Sequence, residues 1–376
     1  MTTEHPPITL PALDGTHPLG FLAALGTLAA LDLYTPLDHT RLSFNSAGQA
    51  VLSGPGLTGV EDVVRHLAAV VDGIGPHQVI PGVSGYPIPR QGTAGDDPSR
   101  LTRTDAVALQ RTLITEQGHQ AAAWVDSILS IHCDSLKTPR SSTGDPAGAK
   151  PVKRARLTPF IARTGQQTVH SFFATPLDAV RADPTCLLTE ALTGWKRYEG
   201  ITGEGLDHHA PVPAHLSPDG KPNNWGVPGA TWLATLSIAL TRLGARAGIS
   251  GPELTATLWH RTAASSTPVM VWPLWSPPLD RHAVDVMLSL PYIGLLDEPA
   301  ADGSLQTPGT VLVHLDAEPH EQDYDDDRPH PLHLANYGIT SVHAAARERG
   351  KHNDGPLRPV RLTVTDTPAR AAALRA

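Results

Sequence analysis

Asp14-Gly15-Thr16-His17-Pro18-Leu19-Gly20-Phe21-Leu22-Ala23-Ala24-Leu25-Gly26-Thr27-Leu28-Ala29-Ala30-Leu31-Asp32-Leu33 is the stretch that decides the fold class. Asp14-Gly15 is a turn pair, Thr16 suits an N-cap, and Pro18 suits the first position of a helix. The helix that follows is apolar almost all round, so it has no face to offer water and belongs inside a domain. Gly20, Ala23, Ala24, Gly26, Ala29 and Ala30 leave room for other elements to approach its backbone. The apolar run Leu19 to Leu33 holds 15 residues, short of the ~20 that span a bilayer. It also lacks the positive flank of a signal peptide.

Working outward, Arg41 to Phe44 and Ala50 to Leu52 alternate as a hairpin around Ser46-Ala47-Gly48. Val60 to Val71 has the spacing of an amphipathic helix. Ser99 to Ser135 reads as mostly helical with a break near Gln117-Gly118. Residues 138–151 are rich in Pro, Ser, Thr, Gly and Ala and read as a loop or linker. Helices are expected over Arg181 to Gly194, over Gly229 to Leu243 with Gly244 as C-cap, over Arg281 to Leu290 and over Gly338 to Arg349. Strands are expected at Val269 to Trp275, Val311 to Leu315 and Pro359 to Val364. The pattern is α+β, with several short sheets packed against mostly apolar helices. It forms one large composite domain or two closely packed ones: residues 1–136, a basic loop or linker at 137–158, and residues 159–376.

The chain has 376 residues, a net charge of −8, 36 prolines and 33 glycines. That charge argues against a surface that coats nucleic acid throughout, while leaving room for a local basic patch. Two cysteines, Cys133 and Cys186, cannot build a disulfide framework or a four-thiolate zinc site. A reducing, cytoplasmic setting is expected. Both sit in apolar, helix-like contexts, where a buried inert thiol is expected.

No catalytic motif stands out. The stretch nearest a phosphate-binding loop, Gly144-Asp145-Pro146-Ala147-Gly148-Ala149-Lys150-Pro151, has the wrong spacing and a proline where a hydroxyl is needed. Histidine number invites a metal reading, and two clusters carry it. One is Asp207-His208-His209 with His215. The denser one is His320, Asp323, Asp325, Asp326, Asp327, His330 and His333. Solvated polar loops are the commoner explanation of both. The second cluster nevertheless gives the enzyme alternative, a metal-dependent hydrolase, its residues. No catalytic residue, metal ligand or cofactor is otherwise assigned.

Charge is unevenly spread. Lys137 to Arg163 holds seven cations against one acid, with Lys153, Arg154 and Arg156 at the end of the expected loop. Arg347, Arg349 and Lys351 begin a second basic stretch. Between them, Asp297 to Asp327 carries ten acids and no lysine or arginine. Such runs are usually solvated surface. The functional alternative is one face for a phosphate backbone and an acidic loop for a basic partner. Five of the seven tryptophans fall at Trp195, Trp225, Trp232, Trp272 and Trp275, a pattern of core packing first. Lys196, Arg197 and Tyr198 beside Trp195 offer the alternative, a stacking platform for unpaired bases.

Several stretches together resemble a known family. They are Leu10 to Gly15 with Pro18 to Gly26, Leu157-Thr158-Pro159-Phe160 with Thr164 to Thr168, Leu192-Thr193-Gly194-Trp195, Gly203-Glu204, and Trp272-Pro273-Leu274-Trp275. The chain resembles the type I-G (formerly I-U) CRISPR-associated proteins described as an extension of the CRISPR helicase-nuclease. A small large-subunit-like protein of the same subtype is the rival label. The shared residues are packing motifs, so the resemblance implies context and no active site. It implies a non-catalytic accessory component in antiviral defence whose partners are a helicase-nuclease or effector-complex subunits. DNA or guide RNA is a second class of partner, and no membrane is involved. The residues expected at a nucleic-acid surface are Lys153, Arg154, Arg156, Lys196, Arg197, Arg347, Arg349 and Lys351. Those expected at a protein partner are Asp323, Asp325, Asp326 and Asp327.

Overall fold

The computed structural model describes residues 6–87, 101–137, 152–162, 167–216, 222–247, 251–260, 268–289, 294–295, 310–314, 337–349 and 354–365. In chain order the first elements are β1 (Ile8–Asp14), α1 (Pro18–Tyr34), β2 (Arg41–Phe44), β3 (Gln49–Ser53), α2 (Val60–Gly73), α3 (Arg103–Gln117) and α4 (His119–Ile128). Then come β4 (Leu129–Lys137), β5 (Val152–Leu157), α5 (Val169–Arg181), α6 (Pro184–Thr193), β6 (Tyr198–Glu199), β7 (Pro211–Leu216), β8 (Pro222–Gly226) and α7 (Pro228–Leu236). The rest are β9 (Leu243–Arg246), β10 (Glu253–Ala256), β11 (Trp259–His260), β12 (Val269–Trp275), β13 (Leu279–Asp280), α8 (Arg281–Ser289), β14 (Gly294–Leu295), β15 (Thr310–His314), β16 (Ile339–Arg349) and β17 (Asp354–Thr365). The fold is α+β, as the sequence pattern requires.

Four sheets form among the described residues. Their strand orders are β1-β3-β2-β13, β14-β15-β17-β16-β12-β11-β10-β9, β4-β5, and β6-β8-β7. All pairings are antiparallel except β15 with β17. α1 is the hub of the core. Every residue from Pro18 to Leu31 is buried, which is what a helix without a polar face demands. The buried Thr27 Oγ1 donates to the Ala23 carbonyl at 2.8 Å. His17 stands at the N-cap in place of Thr16 and makes no side-chain cap bond. Thr16 instead donates its backbone N–H to Asp14 Oδ1.

The small residues do what their spacing implies. α7 crosses α1 so closely that a Cβ placed on Gly26 would lie 1.6 Å from the Leu233 carbonyl oxygen. β12 is buried along its whole length, so its residues are apolar on both faces. Trp272 donates its indole N–H to the Gly15 carbonyl and Trp275 donates to that of Leu42. Both indoles pack with Phe21 and Phe44 in one aromatic group. A single apolar cluster draws on residues from Ile8 to Leu357, on both sides of 137–158.

Several elements differ from expectation. Gly338 to Arg349 is strand β16, not a helix. Ala344, Ala345 and Ala346 favour a helix intrinsically, but the segment lies between β12 and β17 and ladder bonds on both edges override that preference. The helical reading of Ser99 to Ser135 holds only to Ile128, with the break at Gly118 (φ 89°). The chain then turns into β4. Residues 152–157 of the expected linker are β5, paired with β4, and 138–151 lie outside the described residues. Asp183-Pro184 divides Arg181 to Gly194, because Asp183 caps α6 by accepting from the Cys186 N–H. α7 stops at Leu236, a 3₁₀ turn covers Ser237–Leu240, and Gly244 is inside β9, not at a C-cap. Cys133 is buried on β4, whereas Cys186 is exposed on α6.

Candidate nucleic-acid interface

The basic end of the expected linker becomes one strand of a two-stranded ribbon. Across it Arg154 faces Ser135, Lys153 faces Leu136 and Arg156 faces Ser130. Strand alternation puts Ala155 and Leu157 in the core and places Arg154 and Arg156 on the other face. Lys153 is exposed, and the two arginines are half-buried. The ribbon is fastened at its root. Ala155 N–H donates to the Leu101 carbonyl, and Thr158 N–H to that of Ile128. Arg103 holds the bulge in β4 by donating to the Ile131 carbonyl at 2.6 Å and pairing with Asp134 at 3.6 Å. Arg103 itself starts α3, whose capping box joins Thr102 and Asp105.

The remaining expected cations have different surroundings. Lys196 is exposed, lies 5.0 Å from the centre of the Tyr198 ring and pairs with Glu190. Tyr198 donates its hydroxyl to Glu190 at 2.8 Å. Trp195 is half-buried and donates to the Ala191 carbonyl. The ring face of Tyr198 thus already carries a cation, and the indole is turned into the fold. Arg197 is held by the buried Asp207 at 2.6 Å and 3.3 Å and by the Trp225 carbonyl. Arg347 is 6 % exposed and does not face solvent as a phosphate contact would. It donates from Nε to the Pro159 carbonyl at 3.0 Å and from Nη1 to those of Gly205 and Gly355, both at 3.1 Å. Nη2 donates to the Phe160 carbonyl. Arg349 is in β16 opposite Asp354. Lys351, Asp323, Asp325, Asp326, Asp327 and the histidines at 320, 330 and 333 lie outside the described residues.

Gly205 belongs to a turn whose Gly203-Glu204 pair enters the sequence reading only as part of the resemblance, with no site role. Gly203, Glu204 and Gly205 have φ of 65°, 49° and 71°, three left-handed residues in succession. The glycines adopt this freely, while for glutamate it costs on the order of 1 kcal/mol or more. Thr202 holds the turn by accepting from the Glu204 N–H and donating to its Oε1 at 2.8 Å. Gln167 Nε2 donates to Oε2. Burial pushes the Glu204 carboxyl above the usual carboxylate range, against those two hydrogen bonds, which lower it. Glu204 lines a cavity of about 460 Å³ together with the polar residues Gln167, Ser171, Thr175, Thr202 and Asn224. The flanking glycines of Gly203-Glu204-Gly205 were the available signal for a strained, positioned acid.

The same loop continues into Asp207-His208-His209. The rings of His208 and His209 lie 3.8 Å apart, and His17 is 5.9 Å from His208. Burial first, then His209, lowers His208 to about 4, so it is neutral near pH 7. Among the described residues no group of three or more side chains is arranged to hold a metal ion. None of the helices described is long and apolar enough to cross a membrane. No protein-family model matches this sequence, and no curated protein matches it significantly.

Proposed function

We propose that this chain is a non-catalytic accessory component of a type I-G CRISPR interference system. It binds a helicase-nuclease or effector complex and lays its β4–β5 ribbon along nucleic acid. The context comes from the sequence resemblance. The observation that carries the nucleic-acid half is the placement of Lys153, Arg154 and Arg156 on one short strand, rooted in the core at Ala155 and Leu157. A two-stranded ribbon is narrow enough to follow a groove, and cations on a rooted strand contact phosphate with less ordering cost than cations on a free loop. Gel-shift titration over a range of salt tests this. Changing Lys153, Arg154 and Arg156 together to alanine is expected to weaken binding to every sequence alike. The slope of log K against log salt should flatten by about 2–3. Unchanged affinity and slope would refute the interface.

For the protein partner, Asp323, Asp325, Asp326 and Asp327 supply the charge that attracts a basic surface. Neutralising all four to Asn is expected to slow association with the helicase-nuclease, with a smaller change in dissociation. The difference should shrink at high salt. Equal association rates at low ionic strength would remove this role.

A further inference from the structure

We propose that the cavity beside Glu204 receives an unpaired guanine base from a single strand held on the β4–β5 ribbon. The choice of ligand rests on the nucleic-acid reading above. The described lining of the cavity carries no lysine or arginine, the usual partners of phosphate, and is built instead from neutral polar groups around one carboxyl. Its volume of about 460 Å³ falls in the usual range for small ligands, roughly 300–1,000 Å³. Its walls combine neutral hydrogen-bonding groups with the apolar rings of Pro211 and Pro356. That mixture suits a flat, polar-edged ring.

Glu204 selects among the bases. An ionised carboxylate has about four lone-pair sites. Thr202 and Gln167 occupy one on each oxygen, which leaves one more per oxygen. Two adjacent N–H donors are therefore the best complement. Guanine offers that pair, N1–H and N2–H, on its Watson–Crick edge. Adenine and cytosine present one donor group beside an acceptor, and uracil a single donor between two acceptors. The left-handed turn Gly203-Glu204-Gly205 fixes the carboxyl in place, and a fixed acceptor discriminates better than a mobile one. Burial disfavours the free carboxylate, and a paired donor ligand would offset that cost.

Arg347 ties this cavity to the ribbon. One guanidinium bonds the carbonyl of Gly205 in the cavity wall, that of Gly355 beside Pro356, and those of Pro159 and Phe160. Pro159 follows Arg156 by three residues, at most about 10 Å of chain. One short strand can therefore place phosphates on β5 and a base in the cavity.

The test uses the full chain and short single-stranded oligouridylates with one central guanosine, inosine or adenosine, read by fluorescence anisotropy. Calorimetry with free guanosine and adenosine accompanies it. The guanosine strand is expected to bind roughly 5–150-fold more tightly than the adenosine strand. Inosine, which lacks the 2-amino group, should lose most of that preference in the unmodified protein. Glu204→Gln should abolish the preference, while the Lys153/Arg154/Arg156 triple alanine variant should keep it and weaken all strands alike. Equal binding of the three strands with normal salt dependence would overturn the guanine site and leave the nucleic-acid function standing. Absence of strand binding together with Glu204-dependent binding of free guanosine would uphold the site and overturn that function.

Discussion

Replacing Gly26 with alanine tests the packing on which the whole core depends. A Cβ at this position would sit 1.6 Å from the Leu233 carbonyl oxygen and 2.6 Å from its carbon. Real Cβ atoms do not approach closer than about 3.0 Å, so α1 and α7 must separate by roughly 1.4 Å where they cross. The obstruction is helix backbone, which has no rotamer to escape into. The cost then falls at the upper end for overpacking, about 3 kcal/mol or more. Better helix propensity returns about 1 kcal/mol, leaving a net loss of at least about 2 kcal/mol. For a chain of 376 residues, the entropy of unfolding makes each kcal/mol worth roughly 1.3 °C. Gly26→Ala is therefore expected to lower Tm by about 3 °C or more. Gly73→Ala is the matched control. It lies in α2 with nothing within 4 Å of the new methyl group and should raise Tm by about 1 °C. Calorimetry of both variants gives opposite signs if the close crossing is real. A Gly26→Ala protein that melts at or above wild type would refute the reasoning.

Two further perturbations follow from buried groups. Arg347→Ala strips a donor from four backbone carbonyls and should lower Tm by roughly 4–6 °C, and Arg347→Lys should recover less than half of that. A thermal melt within 1–2 °C of wild type for the alanine variant would show that the clamp is dispensable. His260 is driven down to about 4 by burial, so the folded state binds fewer protons than the unfolded state. Its contribution is complete above pH 6.5 and is lost as pH falls from 6.5 towards 4, about 3 kcal/mol at most. His260→Gln should flatten this acid limb in Tm against pH, and an unchanged limb would assign the acid sensitivity elsewhere.

What the sequence disclosed was decided by local chemistry. α1 could be read because no arrangement of Leu19 to Leu31 on a helix produces a wet face. The hairpin β2–β3 and the buried strand β12 were readable for similar reasons. β16 was not, since Ala344, Ala345 and Ala346 carry no β signal and their state is set by β12 and β17. The candidate site residues divide the same way. Lys153, Arg154 and Arg156 announce themselves as a cluster, and so do Arg347, Arg349 and Lys351, yet Arg347 is buried. Its burial depends on carbonyls 188 and 187 residues earlier in the chain. Glu204 was visible only within the Gly203-Glu204 pair of the resemblance, and the fold around it gives that pair its left-handed turn.

The Arg347 clamp also dictates an order of assembly. Its partners lie 188, 187, 142 and 8 residues away, so three of the four contacts close very long loops. Gly26 against Leu233 closes a loop of similar length, and closure cost grows only slowly with length, so the order follows from Arg347 lying far beyond Leu233 in the chain. During synthesis, α1 can be covered by α7 well before Arg347 emerges, whereas the Glu204 wall cannot be locked until β16 has docked. The contact between α1 and α7 can therefore precede the closing of the cavity wall, although the full core also needs Ile339, Ala345 and Leu357. A chain without β16 would lack the guanidinium that ties the Gly205 carbonyl to those of Pro159 and Phe160.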